Sequence, residues 1–370
     1  MAFLKSLKKK ANTFLRGFVD LSERDIVRRT ELNEYRDVLH VRENDSPVLL
    51  GIIRDVHQYH KFYVKAALEL KISFDVIDLQ SNDWWKTVNA EDYDGFVVWP
   101  NGVRESLKSS YDSRIKLIVD YLKKPVFPDY LAIWLYENKI RSLDWLTVNK
   151  FPTIPTYVYY DRSEALKHIE KHPLPVVLKT NLGASGKGVF IVRNKSEYHR
   201  IINKSFRSGL NSEGITPYAE SRGYAYVQKF IPGMEEWRMV RIGNAYFGHM
   251  KMQDQHTGKH SGSLLKGWQR PTDEMLDLLH AVTERGGFRS MNVDMFRDSE
   301  GHLYVNELHT VFGQSTQHLM IVEGTPGRFI RENGGWKFEE GNFVEGHSAK
   351  ARINYFISEI LRKKTAVAES

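Results

Sequence analysis

Cysteine is absent from this 370-residue chain. Disulfides, thiolate metal sites and cysteine nucleophiles are excluded with it, and the absence fits a reducing, cytoplasmic setting. No apolar run approaches the roughly 20 residues that cross a bilayer, so no transmembrane helix is expected. After the first apolar strand, where a dinucleotide-binding fold carries Gly-x-Gly-x-x-Gly, the chain reads GIIRDVHQYH (51–60). A His-Glu-x-x-His zinc motif and a Ser-His-Asp arrangement are also missing. So are a recognition helix and an RNA-stacking motif, which argues against nucleic acid as the partner of a chain with a formal net charge of +7.

Part of that charge is local. In MAFLKSLKKKANTFLRGFVD (1–20), Phe3, Leu4, Leu7, Ala11, Phe14, Leu15 and Phe18 fall on one helical face, with Lys5, Lys8, Lys9 and Arg16 opposite. Such a helix either packs on its own protein or on a sister subunit, as in a homodimer, or docks on an anionic membrane surface. Lysines interrupt any apolar core of a signal peptide.

Residues 20–45 read as charged helix or linker. From Ser46, the strand-like runs PVLLGIIRD, FDVIDLQ, YDGFVVWP and PVFPD alternate with helical HKFYVKAALELK and DSRIKLIVDYLKK. Alternation of this kind specifies a parallel, Rossmann-like α/β layer. A helix is expected over AIWLYENKIRSLDWLTVNK (132–150), followed by the proline-punctuated FPTIPTYVYY. Mixed α and β texture runs on to about residue 330, and AKARINYFISEILRKK (349–364) reads as a closing helix.

Two stretches carry chemistry. VVLKTNLGASGKGVFIV (176–192) places β-branched runs on either side of a glycine-rich loop. It is not a P-loop, because Asn181 stands where the first glycine belongs, Gly188 replaces the hydroxyl residue, and a strand follows. Strand, glycine loop and strand make a flexible hairpin whose tip can lie over phosphates. Gly183, Gly186 and Gly188 let backbone amides approach an anion, and Lys179, with Lys187 beside the loop, can supply ammonium charge. Taken alone, the stretch also reads as a glycine-rich turn with surface lysines.

The second is SMNVDMFRDSEGHLYVNELHTVFG (290–313), two alternating runs about the turn DSEG. With Asp298–Gly301 as a four-residue loop, Arg297 opposes His302 and Asp294 opposes Val305. Asp294 and Glu307 are then diagonal neighbours on one face, which His309 shares. Carboxylates on an otherwise apolar β-face are costly unless paired or metal-bound, and two of them favour a hard cation such as Mg²⁺ or Mn²⁺. An edge hairpin with its acids in water or paired to arginines is the plainer alternative.

Taken in order, YENKIRSLDWL…FPTIPTY, VVLKTNLGASGKGVFIV, YVQKFIPGMEEWRMVRIG and NVDMFRDSEGHLYVNELHT resemble the ATP-grasp superfamily of carboxylate–amine ligases, over roughly residues 129–320. The resemblance implies a Rossmann-like α/β pre-ATP-grasp domain at 46–128 and an α+β ATP-grasp fold at 129–330. The arm and linker at 1–45 precede them, and a tail with a helix follows at 331–370. It implies that Lys139 and Lys179 contact phosphates, and that the loop from Gly183 through Ser185, Gly186 and Lys187 to Gly188 covers the β- and γ-phosphates of ATP. The backbone of Lys229 and Ile231, on either side of Phe230, would meet the adenine edge with Gln228 nearby. Glu236 would hold the ribose, and Arg238 would neutralise the transferred phosphoryl group.

Asp294 and Glu307 match the family's metal-binding acids. That motif commonly ends Glu-x-Asn, whereas His309 stands at its last position here. Either a softer ion such as Mn²⁺ is accepted with His309 as a ligand, or His309 contacts phosphate or substrate, or it is a satisfied β-face histidine. The implied reaction is phosphorylation of a carboxylate to an acyl phosphate, then attack by an amine, such as that of an amino acid. Lys251, His260, Ser261, Lys266 and Arg270 lie where relatives frame the acceptor. With its basic arm, the chain looks like ligases that attach amino acids to cell-envelope polysaccharides. A ligase acting on soluble metabolites or a protein tail, and a non-catalytic ATP-binding module, are the alternatives.

Overall fold

The computed structural model describes residues 30–35, 37–55, 58–100, 105–183, 188–211, 220–252, 266–312, 317–344 and 347–368. The amphipathic arm at 1–18, Ser185, Gly186, Lys187, His260 and Ser261 lie outside the described residues.

Five short apolar strands build the first layer: β1 (His40–Val41), β2 (Leu49–Ile53), β3 (Ser73–Ile77), β4 (Gly95–Val98) and β5 (Val126–Phe127). They stand in the order β1-β3-β2-β4-β5, parallel except for β1. This is the expected Rossmann-like sheet, and alternation sends its side chains to two cores. Leu50, Ile52, Phe74 and Val97 pack with α1 (Lys61–Glu69), while Ile53, Ile77 and Val98 pack with Val88 of α2 (Trp84–Val88) and with Tyr111 and Ile115 of α3 (Glu105–Leu117). The closing helix, α9 (Ser348–Ala368), returns to the first of these cores through Ile353, Phe356, Ile357 and Ile360. A Cβ at Gly95 would lie 2.6 Å from the Phe356 ring, so glycine is what lets α9 lie directly on β4.

The expected helix over 132–150 is two helices, α4 (Tyr130–Leu135) and α5 (Lys139–Val148). Glu137 between them takes a left-handed φ of +51°, and Asn138 leaves the helical region to accept a hydrogen bond from the Arg141 N–H at 2.9 Å. An Asn N-cap therefore opens the second helix.

A four-stranded antiparallel sheet follows, from β6 (Thr156–Tyr159), β7 (Val176–Lys179), β8 (Val189–Val192) and β11 (Ala225–Lys229), in the order β6-β11-β7-β8. The side-chain oxygens of Asp161 and Asn194 cap the helices that cover it, α6 (Arg162–Lys171) and α7 (Lys195–Arg207). Before β11, β9 (Leu210–Asn211) and β10 (Glu220–Ser221) form a small ribbon. The third sheet comprises β12 (Glu235–Ile242), β13 (Ala245–Lys251), β14 (Lys266–Gly267), β15 (Ser290–Arg297), β16 (Leu303–His309), β17 (Ile321–Val322), β18 (Thr325–Glu332) and β19 (Gly335–Glu340). Its main path is β16-β15-β12-β13-β18-β17. Trp237, Met239, Met291, Val293 and Met295 pack with Met275, Leu276 and Leu279 of α8 (Asp273–Gly286), and this burial anchors the sheet. The alternate residues point the other way.

Candidate active site

That opposite face is polar, and strand register assembles it. Glu236 pairs with Lys251, Arg238 with Asp294, Asp294 with Glu307, and Asn292 with His309. The hairpin differs from the expected one at two points. Its loop has five residues, so Arg297 pairs with Leu303, because Asp298 Oδ1 accepts hydrogen bonds from both the Glu300 and His302 N–H groups. The register then shifts between Asp294 and Met295, leaving Asn306 as an extra residue in β16. Asp294 is thus directly opposite Glu307, not Val305. The bulge turns Glu307 and His309 away from the apolar side that Val305 occupies.

Four cations meet these acids. Lys251 Nζ lies 2.5 Å from Asp294 Oδ2 and 2.6 Å from Glu236 Oε1, and Arg238 Nε lies 3.3 Å from Asp294 Oδ1. Glu235, three residues before it, faces Arg297. Lys139 is buried, not solvent-facing. It opens α5, donates to the Gly183 carbonyl at 2.8 Å and stands 3.6 Å from Glu307 Oε1. Lys179, the last residue of β7, donates to Asn306 Oδ1 at 2.9 Å, so the bulge residue ties the second sheet to the third.

The cations hold Asp294 and Glu307 ionised against their burial. Burial pushes the Asp294 carboxyl up, but the Lys251 ammonium, the Arg238 guanidinium and His309 outweigh it and hold it below the usual carboxylate range. Burial opposes ionisation of Glu307 as well, and Lys139 and the His309 hydrogen bond overcome it. Burial pushes the Lys179 ammonium down to about 8, although Glu307 draws it the other way.

His309 sits between two acids. Its Nε2 is 2.9 Å from Glu307 Oε2, its Nδ1 is 3.6 Å from Glu137 Oε1, and the half-buried Tyr136 ring meets it edge-on. Burial lowers the affinity of the imidazole for a proton, but Glu307 and Glu137 together raise it above its ordinary value. Donor atoms of Asp294, Glu307 and His309 lie within 4.8 Å of one another, which suits a divalent cation. Beside them, the buried Asn292 donates through Nδ2 to Asp294 Oδ1 at 3.0 Å. Its carbonyl Oδ1 has no hydrogen-bond partner among the described residues, an orphan acceptor next to a carboxylate. The donor set fits a metal ion.

The remaining expected residues fall around this cluster unevenly. Gln228 donates through its side-chain amide to Thr156 Oγ1 at 3.0 Å, and the Lys229 N–H is spent on the Pro155 carbonyl at 2.9 Å. Any contact of Lys229 with a base edge therefore uses its carbonyl. Arg193 lies over the Phe230 ring, and Ile231 is half-buried. Gly188 has φ +81°, and a Cβ there would lie 2.1 Å from Thr180 Oγ1, so the neck of the loop demands glycine for steric reasons alone. Among the acceptor candidates, Lys251 belongs to the acidic cluster, and Lys266 lies over Trp268. Arg270 pairs with Asp273 and covers Phe329. Sequence reasoning missed Glu137, Asn292 and Asn306. Of these, only the Glu137-Asn138 step carried a signal, the cap.

A glycine-necked hairpin over one sheet and a carboxylate hairpin in the next, closing on shared cations, define an ATP-grasp fold. Residues 136–316 match the family model of the RimK-like ATP-grasp domain, and that stretch has the ATP-grasp fold. D-alanine–D-alanine ligase of Bacillus anthracis, solved with ATP, superposes with a TM-score of 0.54 at 17% identity, over 86% of this chain and 99% of that one. The α-aminoadipate–LysW ligase LysX of Saccharolobus solfataricus is 23% identical over 52% of this chain and 68% of its own length. The 2-oxoglutarate carboxylase small subunit of Hydrogenobacter thermophilus is 23% identical over 50% of this chain, which spans 40% of that protein.

Proposed function

We propose that the chain is an ADP-forming, ATP-dependent ligase that joins a carboxylate to an amine through an acyl phosphate. The observation that carries this reading is the convergence of Lys139, Arg238 and Lys251 on the Asp294–Glu307 pair, with Lys179 held beside it by Asn306. Phosphoryl transfer needs alignment and charge neutralisation more than a covalent nucleophile, and this inventory supplies both. A carboxylate oxygen attacks the γ-phosphorus of ATP and ADP leaves. The amine then attacks the acyl carbon, phosphate leaves, and the nitrogen gives up a proton.

Asp294, Glu307 and His309 would hold Mg²⁺ or Mn²⁺, which when bound draws charge from the phosphate oxygens. Lys139 and Lys179 hold phosphates from the second sheet's side, and Arg238 and Lys251 do so from the third's. A glycine-rich sequence such as that between Gly183 and Gly188 would cover them and keep water from the mixed anhydride. The Lys229 carbonyl and Ile231 N–H receive the adenine edge, with Gln228 behind them, and Glu236 takes the ribose or, through Lys251, the phosphate end.

The amine is an amino acid, and the acyl donor is a cell-envelope polysaccharide or its precursor. The basic amphipathic arm supports a carboxylate presented at the inner membrane surface. No described helix is long and apolar enough to cross a membrane. The test is ADP release over a panel of carboxylates and amines, with ATP binding measured in parallel. Metal-dependent ADP release with a uronic acid-bearing glycan and an amino acid is the expected result. ATP binding without ADP from any pair would make the chain a nucleotide-binding module instead, and turnover with free amino acids alone would make it a soluble-metabolite ligase.

A further inference from the structure

Glu137 is held in a left-handed backbone conformation, at φ +51°. For a residue with a Cβ this conformation is disfavoured, and such strain persists where the surroundings impose it. Here the Asn138 cap that opens α5 imposes it, and the outcome is a largely buried carboxylate 3.6 Å from His309 Nδ1. The other imidazole nitrogen, Nε2, lies beside Glu307 in the donor group that includes Asp294. A carboxylate at one ring nitrogen and the donor cluster at the other is how proteins orient a metal-binding histidine. Glu137 comes from the turn between two helices and His309 from the end of β16, so their meeting is tertiary. The orphan Asn292 Oδ1, cross-strand from His309 and on the carboxamide that touches Asp294, is an independent sign that this pocket is built for one more partner.

We propose that Glu137 positions His309 as a nitrogen ligand and that the pair tunes this site toward Mn²⁺ over Mg²⁺. The inference rests on the ligase reading's metal site and adds its ion preference. Mg²⁺ takes oxygen donors and gains little from imidazole, whereas first-row transition ions gain from it. Asp294 and Glu307 hold either ion, and His309 decides between them.

The experiment uses the full chain with ¹⁵N placed only in histidine, Mn²⁺ and the methylene analogue of ATP. Pulsed EPR should show a ¹⁵N coupling to bound Mn²⁺ that disappears in His309→Asn. In competition, the Mn²⁺-to-Mg²⁺ affinity ratio should fall on the order of tenfold or more in His309→Asn. Glu137→Gln should retain the coupling but weaken Mn²⁺ binding by about 10–100-fold with Mg²⁺ little changed, and Glu137→Asp should restore part of it. A merely structural Glu137 would lower the melting temperature and leave the ratio alone. Mn²⁺ bound with the analogue but without histidine coupling, or an unchanged ratio in His309→Asn, would overturn this proposal and leave the ligase reading standing. Failure of metal and analogue to bind together would remove both.

Discussion

Asp294 and Glu307 stand directly opposite each other across β15 and β16, and just before Glu307 β16 holds one residue more than its partner strand, Asn306. The same extra residue carries the oxygen that anchors Lys179. One irregularity thus places beside the carboxylate pair its link to the glycine hairpin.

Deleting Asn306 is expected to do little more harm than replacing it. Without it Glu307 follows Val305 directly, so simple alternation still puts Glu307 on the polar face opposite Asp294, and metal-dependent ATP binding should persist in titration calorimetry, weakened by loss of the Lys179 anchor. Asn306→Ala keeps the bulge and removes the same anchor, so it should weaken binding to a similar extent. Loss of metal-dependent binding in the deletion alone would show that the bulge itself, and not only the Asn306 oxygen, shapes the site.

Lys179→Ala should lower ADP formation by about 10²–10³-fold, the cost of removing one preorganised charge from developing phosphate charge. Its fold should survive, because the ammonium is already pushed down to about 8 by burial and its loss relieves that desolvation. Turnover and circular dichroism on the same sample check both halves.

The Lys251 ammonium neutralises two buried carboxylates at once. Replacing it with methionine leaves Asp294 and Glu236 without it, and should cost about 3 kcal/mol of stability in urea denaturation. Adding Glu236→Gln to that variant should recover part of the loss, since one of the stranded charges goes with it. A double variant less stable than the single one would contradict this account.

Acid sensitivity should be traceable to Glu284. Hydrogen bonds from Arg289 and then Arg241, against some burial, push its carboxyl down to about 2 from an ordinary 4.5. The folded value is the lower one, so its contribution is complete above about pH 4.5 and fades as pH falls toward 2. Glu284→Gln should flatten the melting temperature between pH 5 and pH 3 relative to the parent chain. An unchanged slope would remove Glu284 from the acid response.

What the sequence disclosed follows periodicity and local chemistry. The runs around the glycine loop became β7 and β8, and the apolar stretches from Ser46 onward became the parallel sheet. Asp294, Glu307 and His309 were legible as sharing one face because alternate residues do. Their exact pairing was not, since an Asx turn at Asp298 and a bulge at Asn306 shift the register in ways that alternation does not record. Glu137 stayed hidden for a different reason. Amphipathic spacing runs unbroken through Tyr136-Glu137-Asn138, and only the cap reveals a break. Lys251 read as a residue framing the acceptor because its partners, Glu236 and Asp294, come from other strands.

The seating of α9 on β4 has a consequence for synthesis. While the chain leaves the ribosome, Leu50, Ile52 and Val97 have only part of their covering in place, and Gly95 faces an open furrow. Every residue between β5 and α9 must be made before Phe356 can fill it. The nascent protein therefore carries a greasy, half-finished surface while the two later sheets are made, and only the arrival of α9 seals the sheet begun first.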